Sequence, residues 1–294
     1  MTDLDFPLEA ARRLVATALA EDLGPDGLDV TSSATIPAEQ VARAHVVARE
    51  PGVLAGAPII PLVLDGVASM TGGRLPSVEV RIADGARLQA GDVIAVLDGP
   101  VRQVLMAERT LLNVMSRLSG VASHTRRWAD ALAGTDCRVM DTRKTTPGLR
   151  ELEKYAVRAG GGTNKRMGLF DVAMIKDNHV VAAGGVGPAF AAIRERYPNV
   201  AIEVEVESIE QALEALEAGA RFLMCDNMSV ERLTSTVETV RAWAAARAER
   251  VEIEATGGLT LDVAAEYGAT GIDWMSVGAL THSSPIIDLA LDLV

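Results

Sequence analysis

DTRKTTPGLRELEKYAVRAGGGTNKRMGLFDVAMIKDNH, residues 141–179, is the stretch that decides how this chain is read. It carries eight Lys or Arg against five Asp or Glu, in a chain whose 28 basic and 40 acidic side chains leave a formal charge of −12. An acidic protein that gathers cations in one place is built to hold an anion there. Two runs, Thr142-Arg143-Lys144 and Ile175-Lys176-Asp177-Asn178-His179, each close an apolar run of strand length, 137–140 and 172–175. Parallel α/β folds place their chemistry at such strand ends.

Working outward, the rhythm repeats. Further apolar runs fall at 202–206, 222–225, 251–255 and 272–277, with helical patterns near 149–159, 186–196, 209–218, 230–246, 261–267 and 285–293. Alternating β and α predicts parallel strands with right-handed crossovers. Periodicity alone leaves a short barrel and an open doubly wound sheet both standing. Upstream, a helix at 8–22, short strands at 41–49, 78–82 and 93–97, an apolar helix at 57–69 and a long helix at 104–133 predict a separate α+β domain.

Composition narrows the function. Hydrophobic residues make up 49% and charged residues 23%, as in ordinary soluble enzymes. Aromatics at 3% argue against stacking on single-stranded nucleic acid. A pI near 4.9 argues against duplexes and anionic membranes, so neither is expected as a partner. Cys137 and Cys225 lie inside predicted strands and read as small buried hydrophobes. No signal peptide is apparent, and the weakly polar run 51–70 holds three prolines and Asp65, so a reducing cytoplasm is expected.

Each predicted parallel strand ends in polar or glycine residues: Thr142-Arg143-Lys144, Lys176-Asp177-Asn178-His179, Glu205-Val206-Glu207, Asp226-Asn227, Thr256-Gly257-Gly258 and Ser276-Val277-Gly278. One such end is ordinary loop chemistry, whereas six describe a convergent site. Glu203, Glu205 and Glu207 alternate with Ile202, Val204 and Val206, which points carboxylates inward and requires partners. Lys144, Lys176 or a metal could supply them; an edge strand with a wet face is the plainer alternative. Thr256-Gly257-Gly258 before a helix, with Gly278 one strand later, suits a phosphate. Gly160-Gly161-Gly162 reads as a helix stop with a flexible loop, which could carry Lys165 and Arg166 to a ligand as a lid. His179 could act as a donor beside Lys176. His45 and His124 carry no assigned chemistry, and neither zinc spacing nor a Ser-His-Asp set is present.

The segments 29–32 (DVTS), 107–113 (AERTLLN), 118–120 (LSG), 142–150 (TRKTTPGLR), 153–162 (EKYAVRAGGG), 167–171 (MGLFD), 175–179 (IKDNH), 203–208 (EVEVES), 226–228 (DNM) and 276–283 (SVGALTHS) together resemble the quinolinate phosphoribosyltransferase family, in order and along nearly the whole chain. The resemblance implies a mixed α/β N-terminal domain, 1–116, and an incomplete, six-stranded TIM-like α/β barrel, 117–294, whose last helix packs on the first domain. It implies transfer of phosphoribose from phosphoribosyl pyrophosphate to quinolinate with decarboxylation, giving nicotinate mononucleotide, pyrophosphate and CO2, with Mg2+. It also implies a homodimer in which Arg109 enters the partner's site.

Under that resemblance Arg109, Arg143 and Arg166 suit planar carboxylates, with Thr142 and Lys165 beside them. Lys144 and Lys176 suit the leaving diphosphate as compact charges. Glu205 and Asp226 would hold ribose hydroxyls and magnesium, which makes Lys144, Lys176, Glu205 and Asp226 the catalytic candidates. Thr256, Gly257, Gly258 and Gly278 would take the 5-phosphate. Two positions depart from the family's usual pattern: Lys165 stands in place of His, and Thr256 in place of Ser. Competing readings are a related transferase with another acceptor (the molybdate-operon type), an aldolase-like barrel with a Schiff base on Lys176, and a non-catalytic phosphate binder.

Overall fold

A computed structural model of the chain describes residues 4–294. They form two compact units, neither continuous in sequence: one comprises residues up to 126, 145–161 and 280–294, the other 127–144 and 162–279. The sequence reading divides the chain after residue 116 and gives everything later to the barrel domain. By contact, the helix at 150–159 and the last strand group with the first unit.

In the first unit, α1 (Leu8–Leu23) buries Ala11, Val15 and Leu19. The short α2 (Val30–Thr35) is capped by Asp29, whose carboxylate accepts from the N–H groups of Thr31 and Ser32. Strands β1 (Val41–Ala48), β2 (Gly52–Val53), β3 (Ser77–Val80), β4 (Arg87–Leu88) and β5 (Val93–Pro100) accompany the apolar α3 (Ile59–Thr71) and the long α4 (Val101–Ala131). β1 and β5 are the inner strands of a four-stranded antiparallel sheet, with β3 on one edge and the C-terminal strand Leu289–Leu293 on the other. That last strand corrects the expected helix at 285–293. Ile287, Leu289, Leu291 and Leu293 recur at period two, and Ala44 to Ala48 pair with Leu293 to Leu289. α5 (Arg150–Ala159) is held in this unit by its own polar residues: Tyr155 donates to Asp84, and buried Glu153 pairs with Arg117.

The second unit is a parallel sheet of β6 (Arg138–Met140), β7 (Val172–Ile175), β8 (Ala201–Val206), β9 (Phe222–Asp226), β10 (Glu252–Thr256) and β11 (Trp274–Ser276). Its order is β6-β11-β10-β9-β8-β7. Successive strands are neighbours except β6 and β7, and the first strand pairs instead with the last. This is the order of a barrel opened at one seam, as expected of an incomplete TIM-like fold. Helices α6 (Asp177–Ala183), α7 (Val186–Arg196), α8 (Ile209–Glu217), α9 (Val230–Arg247) and α10 (Ala264–Gly268) follow strands β7 to β10. Ser208 and Ser229 cap α8 and α9 by accepting from Gln211 and Arg232. Register places Glu205 and Glu254 beside Met224, so successive strands turn carboxylates to the same face.

Candidate active site

At the carboxyl ends of these strands lies a cavity of about 460 Å³, a usual size for a small-molecule site. Thr142, Arg143 and Lys144 reach it from the end of β6, and Lys165 and Arg166 from the segment before β7. Lys176, Glu205 and Asp226 reach it from the ends of β7, β8 and β9, and Thr256, Gly257 and Gly258 from the end of β10. Sequence reasoning named all eleven. Gly278 does not line this cavity, whereas Ser276, two residues earlier, does. Arg109 lies in the first unit on α4, its side chain 64% exposed, beside a separate pocket with Glu50 and Asn113.

The charges are arranged in pairs. The Lys176 ammonium bonds Glu205 Oε2. An aldolase-type lysine needs an apolar pocket, and this partner removes that reading. Burial, then the neighbouring Glu205 carboxylate, push the Asp226 carboxyl above its ordinary value, while Lys176 and Lys144 oppose the rise. Burial, then the Arg143 guanidinium, pull Arg166 below the usual arginine value. Two guanidiniums close enough to feel each other call for an anion between them. Ser276 is buried, and its Oγ has no hydrogen-bond partner; the same holds for Arg166 Nε. Unanswered polar atoms on a cavity wall are what a polar ligand would satisfy.

The glycine turn is built for backbone approach. Gly257 has φ +90°, and a Cβ there would lie 2.5 Å from Asn227 Oδ1. Asn227 has φ +50°, donates its N–H to Thr256 O at 3.0 Å and its side-chain amide to Asp226 at 2.9 Å. The ends of β9 and β10 are thereby fastened together. The expected helix dipole is weaker than the sequence suggested, because only a 3-10 turn, Leu261–Val263, and the five-residue α10 follow. What the structure offers an anion here is the backbone of the turn itself.

Two further expectations change, and a third gains detail. The partner of Glu203 is Lys165, with Nζ 3.3 Å from Oε2, and not Lys144, Lys176 or a metal. Lys165 is not on a free loop. Its side chain is 6% exposed, and its ammonium also lies 2.6 Å from Oε1 of fully buried Glu254. His179 accepts the backbone N–H of Lys176 on Nδ1 at 3.0 Å and so caps α6, which leaves Nε2 as the nitrogen that could donate. Glu254 goes unnamed in the sequence reading, while Asn227 and Ser276 stand among its strand ends without a role. Glu254 had a readable signal, since it alternates with Ile253 and Ala255 as Glu203 and Glu205 do with their neighbours.

Glu205 and Asp226 offer hard oxygen donors side by side, the type magnesium takes, and the strain their proximity puts on Asp226 is what a cation relieves. Among the described residues no group of three or more His, Cys, Asp or Glu is arranged to hold a metal alone. The pair therefore fits a cation that arrives with phosphate oxygens of its own. Burial pushes both thiols, Cys137 and Cys225, up to about 12, which leaves no thiolate nucleophile. Among the described residues no helix is long and apolar enough to cross a membrane.

The family model for the quinolinate phosphoribosyl transferase N-terminal domain matches residues 29–119, and that for the C-terminal domain matches 121–292. A nicotinate-nucleotide pyrophosphorylase (carboxylating) of Mycobacterium leprae is 46% identical over the whole of both chains. Among solved structures, NadC from Streptococcus pyogenes superposes with a TM-score of 0.89 at 36% identity, covering all of both chains. The nicotinate-nucleotide pyrophosphorylase of Francisella tularensis gives 0.87 at 32%, covering 99% of this chain and 98% of its own.

Proposed function

Because the chain belongs to the quinolinate phosphoribosyl transferase family in both its domains, we infer that it transfers phosphoribose from phosphoribosyl pyrophosphate to quinolinate and decarboxylates the product to nicotinate mononucleotide. The observation that carries this reading is the charge order of the cavity. Arg143 and Arg166 stand together, Lys144 and Lys176 stand by the acidic pair Glu205 and Asp226, and a glycine cradle closes one side.

The two guanidiniums grip the carboxylates of quinolinate, whose planar oxygens match the guanidinium fork. Thr256, Gly257 and Gly258 hold the 5-phosphate on backbone N–H groups, and Gly278 lies one strand further. The ring nitrogen of quinolinate attacks the anomeric carbon as the bond to diphosphate breaks. Lys144 and Lys176 receive the departing negative charge. Glu205 and Asp226 hold the ribose hydroxyls and stabilise cationic character at the anomeric carbon. When bound, magnesium neutralises the diphosphate, with Glu205 and Asp226 as the residues that would hold it. The ribosylated ring nitrogen is then cationic. Its positive charge stabilises the electron pair left on the neighbouring ring carbon when the adjacent carboxylate departs as CO2, and that carbon then takes a proton from water to give nicotinate mononucleotide. No covalent enzyme intermediate is needed, so catalysis is positioning plus electrostatics.

Arg109, exposed and outside the barrel unit, serves a partner's site in a homodimer. The setting is the cytoplasm, in keeping with two free, buried cysteines. Quinolinate, phosphoribosyl pyrophosphate and magnesium, followed by loss of quinolinate absorbance and release of CO2, test the reaction. Turnover of another acid with none of quinolinate overturns it. Mixed dimers of Arg109→Ala and Lys176→Ala proteins should recover activity that neither has alone. Absence of recovery despite subunit exchange refutes the shared site.

A further inference from the structure

The seam between β6 and β7 is filled by residues 163–166. Thr163 forms a parallel bridge to Met140, donating to Val139 O at 2.9 Å and accepting from Asp141 N at 3.1 Å. The buried Asp141 carboxylate accepts from Asn164 Nδ2 at 2.6 Å and from Lys165 N at 2.8 Å. On the other side, Arg166 Nη1 donates to Val172 O, the first residue of β7, at 2.9 Å. Lys165 then reaches inward. Its ammonium meets both carboxylate oxygens of Glu254 on β10, Met224 Sδ on β9 at 3.2 Å, and Glu203 on β8 at 3.3 Å.

An ammonium has three N–H groups. Here Glu254 and Met224 already engage three, and Glu203 crowds the remaining approach. A substrate carboxylate would have to displace a buried anion to reach Nζ. The site also holds one cation between two carboxylates, so it repels a further anion and does not invite one. We propose that Lys165 is a positioning residue: anchored across the barrel on Glu254, it fixes the seam segment so that Arg166 faces the acceptor acid, and it does not itself bind substrate. The proposal rests on the quinolinate reading above for the identity of that acid.

The two roles for Lys165 predict opposite effects from its partner. If Lys165 were a ligand, Glu254→Gln would loosen it and lower the quinolinate KM. If it is an anchor, Glu254→Gln and Lys165→Met break the same link from either end. Both then raise quinolinate KM roughly 10-fold or more, with the KM for phosphoribosyl pyrophosphate moving by less than about twofold and the effect falling on KM more than on kcat. Hydrogen exchange at the amides of Thr163 and Lys165 should quicken in both variants. A lowered or unchanged quinolinate KM in folded Glu254→Gln overturns the proposal, as does unchanged exchange. Should Glu254→Gln fail to fold, Glu203→Gln relaxes only the 3.3 Å contact and must raise quinolinate KM by about two- to fivefold; no change overturns the anchor. The exchange measurement needs no substrate. Wild-type protein inactive on quinolinate would therefore sink the assigned reaction and leave the anchor to be decided by exchange alone.

Discussion

Replacing Gly257 by Ala should damage donor binding far more than the same change one residue later. At Gly257, φ is +90°, and the added methyl would lie 2.5 Å from Asn227 Oδ1, 2.7 Å from its Cγ and 2.9 Å from its backbone N. The left-handed backbone alone costs an L-residue about 1–2 kcal/mol. The side chain of Asn227 must also turn away, which gives up its bond to Asp226, worth about 1.5 kcal/mol or more when the acceptor is charged. Its backbone N cannot follow without leaving Thr256 O. The loss is then about 3 kcal/mol, or roughly 10²-fold in kcat/KM for phosphoribosyl pyrophosphate. At Gly258, φ is +60° and the nearest atom is 3.8 Å away, which is ordinary contact. Only the backbone term remains there, about 1 kcal/mol and roughly fivefold. Steady-state rates with the donor varied at saturating quinolinate measure both, with thermal melts to confirm folding. Equal effects at the two positions, or a Gly257→Ala loss below about threefold, would refute the reasoning that the turn and Asn227 act as one unit.

In the folded chain Asp226 keeps its proton to higher pH than in the unfolded chain, so its charge costs stability once pH has risen through the folded value, and costs nothing in acid. Asp226→Asn should therefore raise Tm at neutral pH, the gain vanishing in melts below about pH 4, while kcat falls roughly 10²-fold. Glu153, fully buried, accepts from Arg117, from Thr146 N at 2.9 Å and from Thr146 Oγ1 at 2.7 Å. Glu153→Ala leaves the Arg117 guanidinium its bonds to the Ser284 and Thr281 carbonyls but removes its counter-charge, and should cost about 3 kcal/mol in urea unfolding, with Glu153→Gln costing clearly less. Thr256→Ser keeps the hydroxyl at the cradle and should leave donor KM within about twofold, a difference near 0.4 kcal/mol.

The parallel sheet was legible because its strands are buried on both faces and read as unbroken apolar runs, each closed by charge or glycine. The site was legible for the same reason, since strand ends converge wherever such a sheet closes. What sequence could not say was which charges answer which. Glu203 and Lys165 are 38 positions apart by number, and only the closing of the seam brings them within 3.3 Å. The helix at 150–159 was legible, but its company was not, because Tyr155 and Glu153 take partners, Asp84 and Arg117, far earlier in the sequence and so group the helix with the first unit. The error at 285–293 was one of period. Ile287, Leu289, Leu291 and Leu293 alternate as a strand does, and pairing with β1 selects that period. Arg109 is recognisable only through the resemblance; its surroundings in a single chain give it no task in the barrel.

The pairing of residues 289–293 with 44–48 has a consequence for how the protein comes to be made. The first sheet cannot gain its outer strand until the ribosome has passed through the whole parallel sheet that lies between the two partners. During that interval β1 presents unpaired N–H and C=O groups from Ala44 to Ala48, a template for wrong partners. The barrel unit, whose residues 127–144 and 162–279 are all synthesised first, is free to form meanwhile. Maturation of the nascent polypeptide is thus timed by its final strand, and a chaperone or a charged neighbour on that edge would matter most in the moments just before it arrives.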